Sequence, residues 1–152
     1  MFGTRAGWIV DLAYLIVLIA PFVAGLGVRL ARQRQYDRHR ALQTLLVITG
    51  LLPALAIEGR IRVAGGAAAL IRESPYAGTP LMDTVAAVHI TGALATYLVW
   101  IGLVVSSRRR YRSTLPGDFY RRHRRLGLFI IGGLAFTAVS ATVIYTLAFV
   151  VQ

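Results

Sequence analysis

Apolar residues in this chain run in long unbroken stretches rather than at helical or alternating spacing. Four windows contain no Asp, Glu or Arg: residues 12–28, 41–57, 84–107 and 126–152. A bilayer core of about 30 Å needs about 20 helical residues. The two shorter windows reach that length only by recruiting their flanks, which puts Asp11 and Glu58 near a membrane face. The pattern predicts an all-α integral membrane protein, a single four-helix bundle, with spans at about 8–30, 40–58, 84–106 and 125–150. Loops follow at 31–39 and 107–124, with a longer connection at 59–83. The first apolar stretch reads as a retained span, because it is too long for a cleavable signal and lacks a convincing small-residue cleavage site.

Charge sets the orientation. The 152 residues are 57% hydrophobic and 15% charged, yet the net charge is +11. All 17 basic residues are arginine. So apolar a chain with so basic a surface argues against a soluble enzyme and a disordered chain, and fits apolar faces in lipid with arginines at the edges. Residues 29–40 carry five arginines and residues 108–125 carry eight, against four elsewhere. The positive-inside rule therefore makes both arginine-rich loops cytoplasmic and both termini external. The 59–83 connection contains Gly65, Gly66, Pro75, Gly78 and Pro80. Its segment 61–71 is too short to span, and reads as an interfacial helix or a partly buried loop.

A short motif occurs twice. Tyr36-Asp37-Arg38-His39-Arg40-Ala41-Leu42 and Tyr120-Arg121-Arg122-His123-Arg124-Arg125-Leu126 both read Tyr-x-Arg-His-Arg-x-Leu, and each opens an even-numbered helix. Two helical hairpins repeated about an axis along the membrane normal would produce this. So would convergence, since arginine and tyrosine both favour membrane interfaces. Small residues recur every fourth position at Gly133, Thr137 and Ala141 and at Gly92 and Thr96, a pattern that permits close helix packing. Pro21 and Pro53 fall inside predicted spans, where a kink is the expected consequence.

With no cysteine, disulfides, thiolate metal sites and thiol nucleophiles are excluded. Three histidines remain. His39 and His123 hold equivalent positions at the inner face and can supply the two axial ligands of a b-type haem, if both imidazoles turn inward. The surrounding arginines would then pair with its propionates. The alternative is a pair of interfacial side chains meeting lipid phosphates. His89 lies some ~25 Å from the inner end of its helix at ~1.5 Å per residue, so it cannot share a metal with the other two. At the outer side, Asp11, His89 and Glu58 form a candidate site for a proton relay or a transiently bound copper ion, with Tyr145 at a comparable level. A hydrogen-bonded pair that fixes helix register is the structural alternative.

Arg108-Arg109-Arg110-Tyr111-Arg112 has the basic-plus-aromatic look of a nucleic-acid segment, and Arg121, Arg122, Arg124 and Arg125 add to the charge of the same loop. Their position directly beside spanning helices favours anionic lipid or an acidic partner surface instead, so no nucleic acid is expected. No phosphate loop, His-Glu-x-x-His pair or nucleophile elbow is present, and no enzymatic activity is expected.

The segment His123-Arg124-Arg125-Leu126-Gly127, followed by Phe136-Thr137-Ala138 and Val143-Ile144-Tyr145, resembles the last block of the CtaM/YozB family. These are small bacterial multispanning proteins grouped as a domain of unknown function. His89-Ile90-Thr91 with Ala93-Leu94-Ala95 resembles that family's third segment, and His39-Arg40 its basic-histidine opening of the second helix. The resemblance implies a protein of the bacterial cytoplasmic membrane associated with maturation of haem-copper terminal oxidases, with His39, His89 and His123 as its functional positions. The outer end of the second helix, Ala54 to Arg60, departs from the family pattern and leaves Glu58 as a substitute there. Three functions follow as expectations: an assembly factor or accessory subunit of a respiratory complex, an electron-transfer subunit with haem b, and a structural subunit without cofactor.

Overall fold

Thr79 and Pro80 begin the third long helix in the way sequence chemistry favours. The Thr79 hydroxyl accepts a hydrogen bond from the Met82 amide at 3.3 Å, and Pro80 occupies the first helical turn, where its missing N–H costs nothing. At the end of the second helix Gly65 adopts a left-handed φ of 87°, and its N–H and that of Gly66 close on the carbonyls of Arg62 and Ile61.

A computed structural model of the chain describes residues 5–111 and 117–151. Its helices are α1 (Trp8–Arg32), α2 (Tyr36–Ala64), the single turn α3 (Ala67–Leu70), α4 (Pro80–Arg110) and α5 (Gly117–Tyr145). A π-helical turn, Thr146–Val150, continues α5. Helices α1, α2, α4 and the continuous α5 are each long and apolar enough to cross a membrane. The fold is an all-α four-helix membrane bundle.

The helices outrun their charge-free windows. Helix α2 starts at Tyr36 rather than near 40, and α5 at Gly117 rather than near 125. Arginine is a good helix former, and i,i+3 pairs of Asp37 with Arg40 and of Asp118 with Arg121 support the two first turns. The expected loops at 31–39 and 107–124 shrink accordingly, and His39 and His123 lie within the first two turns of α2 and α5. The 59–83 connection is partly helical too, because α2 runs on to Ala64 before the two glycines break it.

Helix α1 packs against α2 and α5, and α4 packs against α5. Contact between α2 and α4 is lighter, and α2 and α5 lie across the diagonal. One apolar cluster, Ala24, Trp100, Leu103, Ile130 and Leu134, fills the bundle toward its arginine-rich end. A second, Ala6, Val10 and Tyr145, fills the opposite end. The small residues act as the spacing predicts: a Cβ added at Gly133 would collide with Thr96, and one at Gly92 with Phe136. Helix α2 buries no residue fully and exposes Leu45, Ile48, Leu52 and Leu55. Lipid is as apolar as leucine, so such a face carries no penalty in a bilayer.

Residues 5 and 151 lie at one end of the bundle, opposite the arginine-rich end. Arg5 donates to the carbonyls of Val151 and Glu73. The buried Ser74 hydroxyl donates to the Leu147 carbonyl at 2.7 Å, within the π-helical turn. The connection between α2 and α4 is thereby tied onto the end of α5.

Candidate functional site

Two imidazoles meet at the arginine-rich end. His39, in the first turn of α2, and His123, in the second turn of α5, have ring centroids 6.1 Å apart at an interplanar angle of 69°. Their helices are diagonal neighbours, so the side chains reach toward one another across the bundle. Each ring is held by the preceding helix of its own hairpin. His39 Nδ1 lies 2.7 Å from the Gly27 carbonyl of α1, and His123 Nδ1 lies 2.9 Å from Ser107 Oγ of α4. All four long helices thus contribute one group.

The His39 contact fixes a tautomer. A carbonyl oxygen only accepts, so Nδ1 carries the proton, and in the neutral ring the lone pair resides on Nε2. Ser107 can accept from His123 in the same manner. Orientation of one ring nitrogen by an acceptor, with the other left for a ligand, is the usual support of a metal-binding histidine. Were a metal ion held here, Nε2 of His39 and of His123 would be its ligands, and ring centroids 6.1 Å apart are close enough for both to reach one ion. Both rings are half-buried.

Gln43, Gly27 and Phe119, like Ser107 absent from the sequence expectations, complete the surroundings. Gln43, one turn beyond His39, accepts a hydrogen bond from the buried Trp100 indole at 3.0 Å. Gly27 is buried, and a Cβ there would collide with the Gln43 amide. Phe119, one turn before His123, lies 6.3 Å from that imidazole between ring centroids. A lone amide four residues after a histidine, inside a charge-free window, was the signal for Gln43. Gly27 and Ser107 left none, because their role depends on which helices become neighbours.

Arginines frame the pair. The Arg40 guanidinium lies 5.4 Å from the Tyr111 ring centroid, and Arg110 lies 4.8 Å from that of Phe119. Tyr36 meets Tyr111 edge-on at 6.2 Å. Arg108, Arg109, Arg121, Arg122, Arg124 and Arg125 are exposed around this end, and Arg121 pairs with Asp118. Arg112 lies outside the described residues.

The other candidate residues are engaged separately. Asp11 has no exposed surface and accepts a hydrogen bond of 2.6 Å from the Tyr145 hydroxyl, while the Tyr145 ring stacks on Tyr14 at 4.2 Å. His89 Nδ1 faces Ser140 Oγ at 2.8 Å rather than Asp11. Ser140 donates its own proton to the Phe136 carbonyl, so His89 is the donor to Ser140. Glu58 is exposed and pairs with Arg62 at 2.7 Å. Among the described residues no three His, Asp or Glu side chains are arranged to hold a metal ion. Asp11, His89 and Glu58 therefore do not converge, and each satisfies a local partner instead.

No family model, curated protein or solved structure matches the chain.

Proposed function

We propose that this chain is a multi-pass protein of the bacterial cytoplasmic membrane, with its arginine-rich end in the cytoplasm, that serves as an assembly factor or accessory subunit of a haem-copper or related respiratory complex. Its working part is the His39–His123 pair, which ligates a metal centre. The observation that carries this reading is the 6.1 Å approach of two imidazoles whose Nδ1 atoms are both engaged by neighbouring helices. Interfacial histidines meeting lipid phosphates would have no need to face inward across a diagonal. The likeness of residues 123–145 to the CtaM/YozB family supports the respiratory context. The lipid-facing side of α2 leaves apolar surface on which a larger membrane subunit can dock.

The test is purification from the native membrane in mild detergent, with metal content and co-purifying subunits measured together. The proposal expects a substoichiometric or stoichiometric metal that is lost in His39→Ala and His123→Ala, and subunits of a terminal oxidase or related complex in the same fraction. A gene deletion that leaves those oxidases fully metallated and active would contradict the assembly role.

A further inference from the structure

The end of the bundle away from the histidine pair carries Arg5, Arg60, Arg62 and Arg72. Two of these are engaged. Arg62 pairs with Glu58 at 2.7 Å, and Arg5 donates to the carbonyls of Glu73 and Val151. Among the described residues, the side chains of Arg60 and Arg72 have neither an ion pair nor a hydrogen bond.

Both free guanidinium groups stand at one cleft. Arg72 lines a cavity of about 310 Å³ together with Arg5, Glu73 and Phe149. Arg60 lines a second, of about 390 Å³, whose other walls are Ala56, Gly59, Val63, Ala64 and Leu70. Ala64 and Leu70 belong to both cavities, so the two adjoin. One compartment carries three charged side chains, and its neighbour is apolar apart from one guanidinium. Over the whole cleft three arginines face one carboxylate, that of Glu73.

The cleft opens where lipid lies. Val63, 91% exposed, forms an apolar lip with the exposed Ala64, Ala67, Ala68 and Ala69, between Arg62 and Arg72. Apolar side chains bracketed by arginines belong at the boundary between headgroups and acyl chains. Below the lip the exposed face of α2 continues through Leu55, Leu52 and Ile48 toward the middle of the span. A free phosphate gains nothing from the apolar compartment, and a hydrocarbon gains nothing from two unpaired guanidinium groups. A molecule with both parts uses the whole cleft, and the planar fork of arginine matches a phosphate.

We infer that this cleft binds a phospholipid, whose phosphate is received by Arg60 and Arg72 and one of whose acyl chains passes Gly59 and follows α2 into the bilayer. No group of the histidine site takes part.

The test is native mass spectrometry of the full chain in uncharged detergent with three probes. These are dioleoylphosphatidylglycerol, dioleoylglycerol (the same chains without phosphate) and glycerol phosphate (no chains). A single phosphatidylglycerol should be retained per chain, and neither other probe should displace it at equal concentration. The Arg60→Gln, Arg72→Gln double variant should bind it about tenfold more weakly, from roughly fivefold at most for each exposed charge pair. Gly59→Leu is an independent arm: a Cβ there meets nothing within 4 Å, so the larger side chain fills the apolar compartment without disturbing the bundle. It should weaken phosphatidylglycerol binding by a similar factor and leave the melting temperature no lower. Arg108→Gln, Arg109→Gln, an equal charge change at the far end, should bind as the unaltered chain does, and so should His39→Ala. Unchanged affinity in the double variant or in Gly59→Leu, or an equal loss in the far-end control, overturns the inference. So does displacement by glycerol phosphate, which would mark a site for free phosphate, or by dioleoylglycerol, which would mark a site for hydrocarbon alone.

Discussion

The carbonyl oxygen of Gly27 lies 2.7 Å from Nδ1 of His39, twelve residues further along the chain. Gly27 is one of the few buried positions in the last turns of α1, and its lack of a side chain is what lets α2 approach. A Cβ at this position would strike the Gln43 amide and stand 3.7 Å from His39 Nδ1. Helix packing and ring orientation therefore depend on the same glycine.

Gly27→Ala is accordingly expected to be less stable than Gly25→Ala by about 1 kcal/mol: the Gln43 amide that its Cβ meets is the end of a flexible side chain and can turn away, at the expense of its hydrogen bond with Trp100. Gly25→Ala is the control, since a Cβ there meets nothing within 4 Å. Thermal unfolding in detergent, followed by circular dichroism and tryptophan emission, should separate the two variants. Equal melting temperatures would refute the packing argument.

Much of this architecture is legible in the sequence, for a physical reason. Spans are dictated by the absence of charge over a length fixed by the bilayer, so the four windows locate four helices without any tertiary information. Helix ends are less legible. Arginine prolongs a helix as readily as it ends an apolar window, and α2 and α5 therefore start several residues early. The site divides in the same way. His39 and His123 are marked by a repeated motif, but their meeting depends on a diagonal arrangement that no local pattern encodes. The Asp11–His89–Glu58 grouping was inferred from depth alone, and depth does not specify which side of a helix faces which neighbour. Asp11 turns to Tyr145, His89 to Ser140, and Glu58 outward to Arg62.

The Asp11–Tyr145 contact should be a stabilising link between α1 and α5. Tyr145→Phe keeps the stack on Tyr14 but removes a hydrogen bond from a carboxylate with no exposed surface. A loss of about 1–3 kcal/mol is expected. Tyr14→Phe removes only the part-buried 3.2 Å bond to Thr142 and should cost less, about 0.5–1.5 kcal/mol. A double-mutant cycle with Asp11→Asn should give a coupling energy of about 0.5–3 kcal/mol. Additive effects would mean that the two side chains are not partners.

The π-helical turn at Thr146–Val150 depends on the connection that crosses it. Ser74→Ala removes the donor to the Leu147 carbonyl. Faster amide hydrogen exchange is expected within 146–151, with little change in the rest of α5, because local opening is governed by local contacts. Exchange that stays the same in this segment would show that the hydroxyl does not hold the turn.

The most direct measurement of the central claim is the metal content of the full chain purified from its native membrane in mild detergent, compared across three histidine variants. The account predicts bound metal that is lost in His39→Ala and in His123→Ala and kept in His89→Ala, whose imidazole faces Ser140 instead. Bound metal that survives both His39→Ala and His123→Ala would contradict the account.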